Sequence, residues 1–124
     1  MNQAKLIDSK HNIIIPDWPA PDYVQTFVTT RTSFHNNDEI NDISSGYDHF
    51  NVALHVNDSL EKVLNNRQQL ARYVEVSPSN IMWLEQVHGK KVVTNTPSTL
   101  EPTSPKAIIA DACTSSTPSQ VCSI

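Results

Sequence analysis

The order of elements predicts an α/β chain. Short β-branched and apolar runs at residues 13–15, 23–30 and 81–88 read as strands. Between them a 3.6-residue stripe of apolar side chains starting near Asp58 reads as one amphipathic helix. With 124 residues the chain is long enough for one small domain.

Composition narrows the function classes. The formal net charge is -4 and only 18% of residues are charged, with no Lys/Arg cluster. A weakly acidic chain of this kind is poorly suited to nucleic acid or to an anionic membrane surface. No apolar run approaches the roughly 20 residues of a membrane span, and residues 1–12 lack the apolar stretch of a secretory signal. The expected compartment is the cytoplasm. Cys113 and Cys122 fit no CxxC pattern and are expected to be free, buried thiols.

Ile13, Ile14 and Ile15 form the first strand-like run, ended by Pro16. Pro16, Pro19 and Pro21 then exclude both helix and ladder pairing. Residues 23–30, with Tyr23, Val24, Thr26, Phe27 and Val28, are expected as a strand. The polar stretch 32–49 reads as a long surface loop, and such loops are often functional. Residues 50–56 are again strand-like.

The helix has Asp58 as expected N-cap and Glu61 at capping-box spacing. Leu60, Val63, Leu64, Leu70, Ala71 and Val74 mark its apolar stripe. Arg67 falls on that stripe. One account packs its stem and lets its head reach solvent; another aims it at a carboxylate, a carbonyl or an anionic ligand. Pro78 lies where the helix should have stopped.

Alternation along 81–88 puts Met82, Leu84, Gln86 and His88 on one face of a strand. Gly89-Lys90 is expected to turn the chain, with 91–94 as partner strand. A Pro/Ser/Thr-rich loop follows at 95–106, then an apolar segment at 107–112, a loop at 114–119 and a further strand opening at 121–124. A strand just begun suggests truncation. There is no internal repeat.

Chemistry points first to Gln86-Val87-His88-Gly89. A histidine at a strand end beside a glycine turn is a plausible metal ligand or general base, although one histidine is not a catalytic metal site, which takes about three protein ligands. His55 is a conceivable second ligand. His11, His35 and His49 sit in polar segments and are expected to be exposed. Only Gly46 and Gly89 are present, so a glycine-rich phosphate loop is excluded, and neither GxSxG nor HExxH occurs.

The motifs, taken in order, resemble a known family. IPDWPAP at residues 15–21, Thr29-Thr30-Arg31, FNVALHVND at 50–58, Asn66-Arg67, WLEQVHG at 83–89 and Ala110-Asp111-Ala112 follow the pattern of the YfiH-type purine nucleoside phosphorylases, once described as polyphenol oxidases or multicopper laccase-like proteins. The resemblance implies an α/β fold with mixed sheets (α+β) and identifies residues 1–124 as the N-terminal portion of a single domain whose C-terminal part is missing. It implies a mononuclear metal site, zinc or alternatively copper, with His88 as one ligand and the other ligands beyond Ile124. It implies a purine nucleoside and phosphate as partners, with phosphorolysis of adenosine, inosine, guanosine or methylthioadenosine and adenosine deamination as activities. Copper-dependent oxidation of phenols and a non-catalytic fragment are the alternatives. Arg31 and Arg67 are candidates for phosphate or substrate oxygens, because a guanidinium matches those geometries. Gln86 is a candidate to orient His88 or touch substrate. Asp111 is expected to anchor a turn or support the site from behind.

Glycines of the family pattern are replaced here by Thr32-Ser33, Ala53 and Asn57. Asn57 tolerates a left-handed backbone; Ala53 does so only at a cost.

Overall fold

A computed structural model describes residues 6–35, 49–94 and 108–124. The expected loop at 95–106 and most of that at 32–49 lie outside the described residues. The chain forms two compact units, Met1–Asn51 and Val52–Ile124.

In the first unit, β1 (Leu6–Asp8), β2 (Ile13–Ile15) and β3 (Val28–Thr29) make an antiparallel sheet in the order β1-β2-β3. Ile7 pairs Ile14, and Ile13 pairs Thr29. Asp8 closes the β1–β2 turn. Its Oδ1 accepts the Lys10 and His11 amides, and its Oδ2 pairs with His11 Nδ1 at 2.8 Å. Asn12 takes a positive φ of 55° at the end of that turn, a region Asn tolerates. β1 was not apparent from the sequence.

The expected strand over residues 23–30 shrinks to β3. The register that pairs Ile14 with Val28 would bring Thr26 opposite Pro16, which has no N–H to continue the ladder. Tyr23 is left 88% exposed. Beyond β3, the Ser33 hydroxyl accepts the Thr30 amide (2.8 Å) and donates to the Asn12 carbonyl (3.1 Å). Ser33 is fully buried. Where the family pattern has glycine, this chain uses a side chain to satisfy backbone groups.

The second unit holds α1 (Leu60–Tyr73) and strands β4 (Ile81–Met82), β5 (Leu84–Glu85), β6 (Val92–Thr94), β7 (Ile108–Ile109), β8 (Ala112–Thr114) and β9 (Val121–Cys122). The mixed α/β class predicted from the sequence is what forms. Residues 50–56 are not a strand, contrary to expectation; the chain there bends through a left-handed Asn57 (φ 62°) into the helix. Ala53 keeps a negative φ.

The N-cap of α1 is Ser59 rather than Asp58, and its hydroxyl makes no capping bond. Asp58 instead accepts the Ser59 amide at 2.7 Å, and Glu61 faces the positive end of the helix dipole. The buried face is Val63, Asn66, Arg67, Leu70 and Ala71. Leu60 and Leu64 are exposed, so the stripe is narrower than the spacing suggested. The helix ends with Glu75 N–H on Arg72 O and Val76 N–H on Ala71 O, with Glu75 at φ 57°. This is the paired bonding of a Schellman cap with glutamate in the place that favours glycine. One 3-10 turn, Pro78–Asn80, then leads into β4.

All described strand pairs of this unit are parallel: β4 with β9, β5 with β7, β6 with β8. Ile81 and Met82 are both buried, as are Val63, Leu70, Ala71 and Ala110 of the same unit. The expected long strand 81–88 is therefore two short ones, ending at Glu85. The expected hairpin is also absent. Residues 92–94 pair not with β5 but with β8, so β5 and β6 lie along successive parts of one segment, residues 108–114. Glu85 faces Ile109 and Val92 faces Ala112. Residues 86–91 thus loop out opposite Ala110 and Asp111.

Candidate functional site

The loop that bulges between β5 and β6 carries Gln86 and His88. Its anchor is Asp111, at the point where segment 108–114 changes partner. The Asp111 amide donates to the Lys91 carbonyl at 3.0 Å. Its carboxylate accepts the Val87 amide through Oδ1 at 3.1 Å and the Gly89 amide through Oδ2 at 2.9 Å. Such bonds to an ionised acceptor are stronger than neutral ones. They flank His88 on both sides.

His88 has a positive φ of 57°, a conformation that costs a non-glycine residue about 1–2 kcal/mol. The two amide bonds hold it there, with the imidazole exposed. Gly89 does not supply the positive φ. Its role is room: a Cβ at this position would stand 3.0 Å from Asp111 Oδ2. His88 is accordingly in a turn beyond the strand, not at its end.

Arg67 is 8% exposed. Its Nε donates to the Val52 carbonyl at 2.8 Å, and its guanidinium lies 4.1 Å from the centre of the Trp83 ring. Burial pulls its pKa well below the usual arginine value, to about 10. No carboxylate among the described residues forms an ion pair with it. Of the two sequence accounts, the snorkelling head is ruled out; a carbonyl and an aromatic face receive the cation.

Gln86 is exposed on the same loop as His88. Arg31 belongs to the first unit, exposed in the turn closed by the Ser33 amide on the Thr30 carbonyl (3.1 Å). Histidines 11, 35 and 49 are half-buried rather than exposed. His11 pairs with Asp8, and His35 Nε2–H donates to the His49 carbonyl at 2.9 Å. His55 is exposed. Among the described residues no three His, Cys, Asp or Glu side chains are grouped to hold a metal. The two thiols are free, as expected, but Cys122 is exposed and Cys113 only half-buried. No spacing rule ties residue 67 to residue 83, so Trp83 was not legible as a neighbour of Arg67.

Residues 28–124 match the family described as multi-copper polyphenol oxidoreductase laccase. The chain belongs to this family. It is 36% identical over 111 residues to a purine nucleoside phosphorylase of Pseudomonas aeruginosa, an alignment covering 90% of this chain and 39% of the relative. It is 37% identical over 113 residues to the purine nucleoside phosphorylase YfiH of Escherichia coli, covering 90% of this chain and 41% of the relative. The chain thus spans about two-fifths of the curated relatives it matches. No solved structure matches it. The family resemblance carried by the ordered motifs is confirmed, and with it the YfiH-type kinship. Within the described residues no helix is long and apolar enough to cross a membrane.

Proposed function

We propose that residues 1–124 are the N-terminal portion of a single-domain, cytoplasmic purine nucleoside phosphorylase that also deaminates adenosine. The observation that carries this reading is the Asp111 clamp, which fixes an exposed His88 in a strained turn. Strained backbone held by surrounding bonds is concentrated at functional sites. The names of the relatives support a nucleoside and phosphate as substrates.

His88 serves as one ligand of a zinc ion. The described residues bring no further ligands to it, so they do not make a complete site, and no step through the metal is derived from them. Arg67 is the phosphate-binding group: it is a fixed, desolvated guanidinium with no carboxylate partner among the described residues, and its attraction for an anion is strengthened by the low local dielectric. Its Nε bond to Val52 and its stacking on Trp83 fix its plane before phosphate arrives, which reduces the entropy lost on binding. Gln86 offers an amide beside His88 to orient the imidazole or a substrate oxygen. Arg31, in the first unit, is a separate candidate for substrate oxygens that rests on the family resemblance alone.

The test compares residues 1–124 alone with the same residues joined to the C-terminal length that the relatives carry. The longer protein is expected to bind zinc and release purine base from inosine and phosphate, and His88→Ala is expected to abolish both. The short chain should bind zinc weakly, lack turnover and tend to associate. Phenol oxidation that tracks copper content, without phosphorolysis, would instead favour the oxidase reading that the family description suggests. A short chain with stoichiometric zinc and His88-dependent turnover would overturn the assignment of missing ligands.

A further inference from the structure

Asn12, the residue before β2, binds the segment 30–35 with both its side chain and its backbone. Its Nδ2 donates to the Thr32 carbonyl at 3.2 Å and to the His35 carbonyl at 3.1 Å. Only the amino end of the side-chain amide can meet two carbonyls, so its orientation is fixed. The Asn12 main-chain carbonyl accepts the Thr30 hydroxyl at 2.8 Å and the Ser33 hydroxyl at 3.1 Å. The preceding carbonyl, that of His11, accepts the Phe34 amide at 2.9 Å. The four bonds of Asn12 are part-buried, while Arg31, between Thr30 and Thr32, is exposed. We propose that Asn12 is a positioning residue, which holds the turn 30–35 so that Arg31 is presented in one place to a substrate oxygen. The proposal rests on the reading of Arg31 as a substrate contact.

An arginine on an untethered turn has to lose backbone as well as rotamer freedom when a substrate holds its head. Bonds to residues 30, 32, 33, 34 and 35 restrain that backbone beforehand. Binding then restricts only the Arg31 side chain. The two halves of Asn12 contribute differently. Its carbonyl belongs to the main chain, and any residue supplies one. The two amide donors belong to the side chain, and they are combined with a left-handed backbone, φ 55°. Asparagine tolerates that backbone. Glycine adopts it freely but has no donor. Aspartate tolerates it too but would turn a carboxylate, an acceptor only, towards the Thr32 and His35 carbonyls.

The experiment uses the longer protein, with inosine and phosphate as substrates. It compares the wild type, Arg31→Ala, Asn12→Gly, Asn12→Asp and the Arg31→Ala/Asn12→Gly double variant. Asn12→Gly keeps the left-handed backbone and the main-chain acceptor, so the fold is retained and only the amide donors are lost. Arg31→Ala should raise KM for one of the two substrates by about tenfold, and Asn12→Gly should raise the same KM with kcat held within about twofold. Asn12→Asp should raise it further. The double variant should be no worse than Arg31→Ala, because both changes remove one contact. Hydrogen exchange at the Ser33, Phe34 and His35 amides should be faster in Asn12→Gly. Unchanged KM values in Asn12→Gly, effects that add to those of Arg31→Ala, or unchanged exchange would overturn the proposal. Unchanged KM values in Arg31→Ala would remove Arg31 from the substrate and the positioning role with it. A wild type without phosphorolysis, whose Asn12→Gly variant still exchanges faster at residues 33–35, would overturn the proposed activity and not the hold of Asn12 on the turn.

Discussion

The Asp111 carboxylate accepts the amide of Gly89 at 2.9 Å, and the absence of a side chain on Gly89 is what lets it approach. Asp111→Ala removes the acceptor of two amides and should cost about 1 kcal/mol, the bonds being partly solvated. Hydrogen exchange at Val87 and Gly89 should accelerate while α1 amides stay protected. Gly89→Ala should act on the same bonds from the other side. If the longer protein binds zinc through His88 as proposed, both changes should weaken that affinity by roughly tenfold without removing the ligand. Unchanged zinc titrations in both would show that the clamp does not position His88.

Arg67 should make stability respond to anions. Phosphate is expected to raise the melting temperature of the wild type and leave Arg67→Met unchanged, since methionine keeps packing but loses the charge. Equal responses would remove Arg67 as the phosphate group.

The same residue gives a pH signature. Its folded pKa, about 10, lies below the ordinary arginine value, so between the two the unfolded chain binds the proton and the folded chain does not. Stability from this group therefore rises with pH across that window, while the burial penalty is fully present below it. The stability of the wild type relative to Arg67→Met should increase as pH is raised through about 10, measured by urea midpoints.

Glu75 occupies the left-handed position of the α1 cap. Glu75→Gly should stabilise the chain by roughly 1 kcal/mol, because glycine adopts that backbone without the Cβ penalty. A lower urea midpoint in the variant would contradict this.

Ser33→Ala leaves the Thr30 amide without its side-chain acceptor inside the first unit. A loss of about 1–2 kcal/mol is expected, read as a lower thermal midpoint. Ser33→Gly, which restores the family's residue, should lose as much, since the hydroxyl and not the backbone freedom is in use here.

The sequence by itself determined the helix, the Ile13–Ile15 strand and the family. These rest on local signals: a 3.6-residue stripe, a β-branched run, an ordered set of motifs. It also indicated that Asn57 would tolerate a left-handed backbone. Tertiary structure decided the rest. The strand expected at residues 23–30 failed because its neighbour offers a proline, and only the pairing register sets Pro16 opposite Thr26. The hairpin expected after Gly89 failed because residues 92–94 find a parallel partner some twenty residues further on. Whether Arg67 would snorkel or stack depended on Trp83, which arrives from another element. Asp111 could be suspected of anchoring a turn, but which turn was set by the change of partner along residues 108–114. Pairing of distant backbone amides and carbonyls carries no local pattern, so only the folded chain brings Asp111 to the His88 turn.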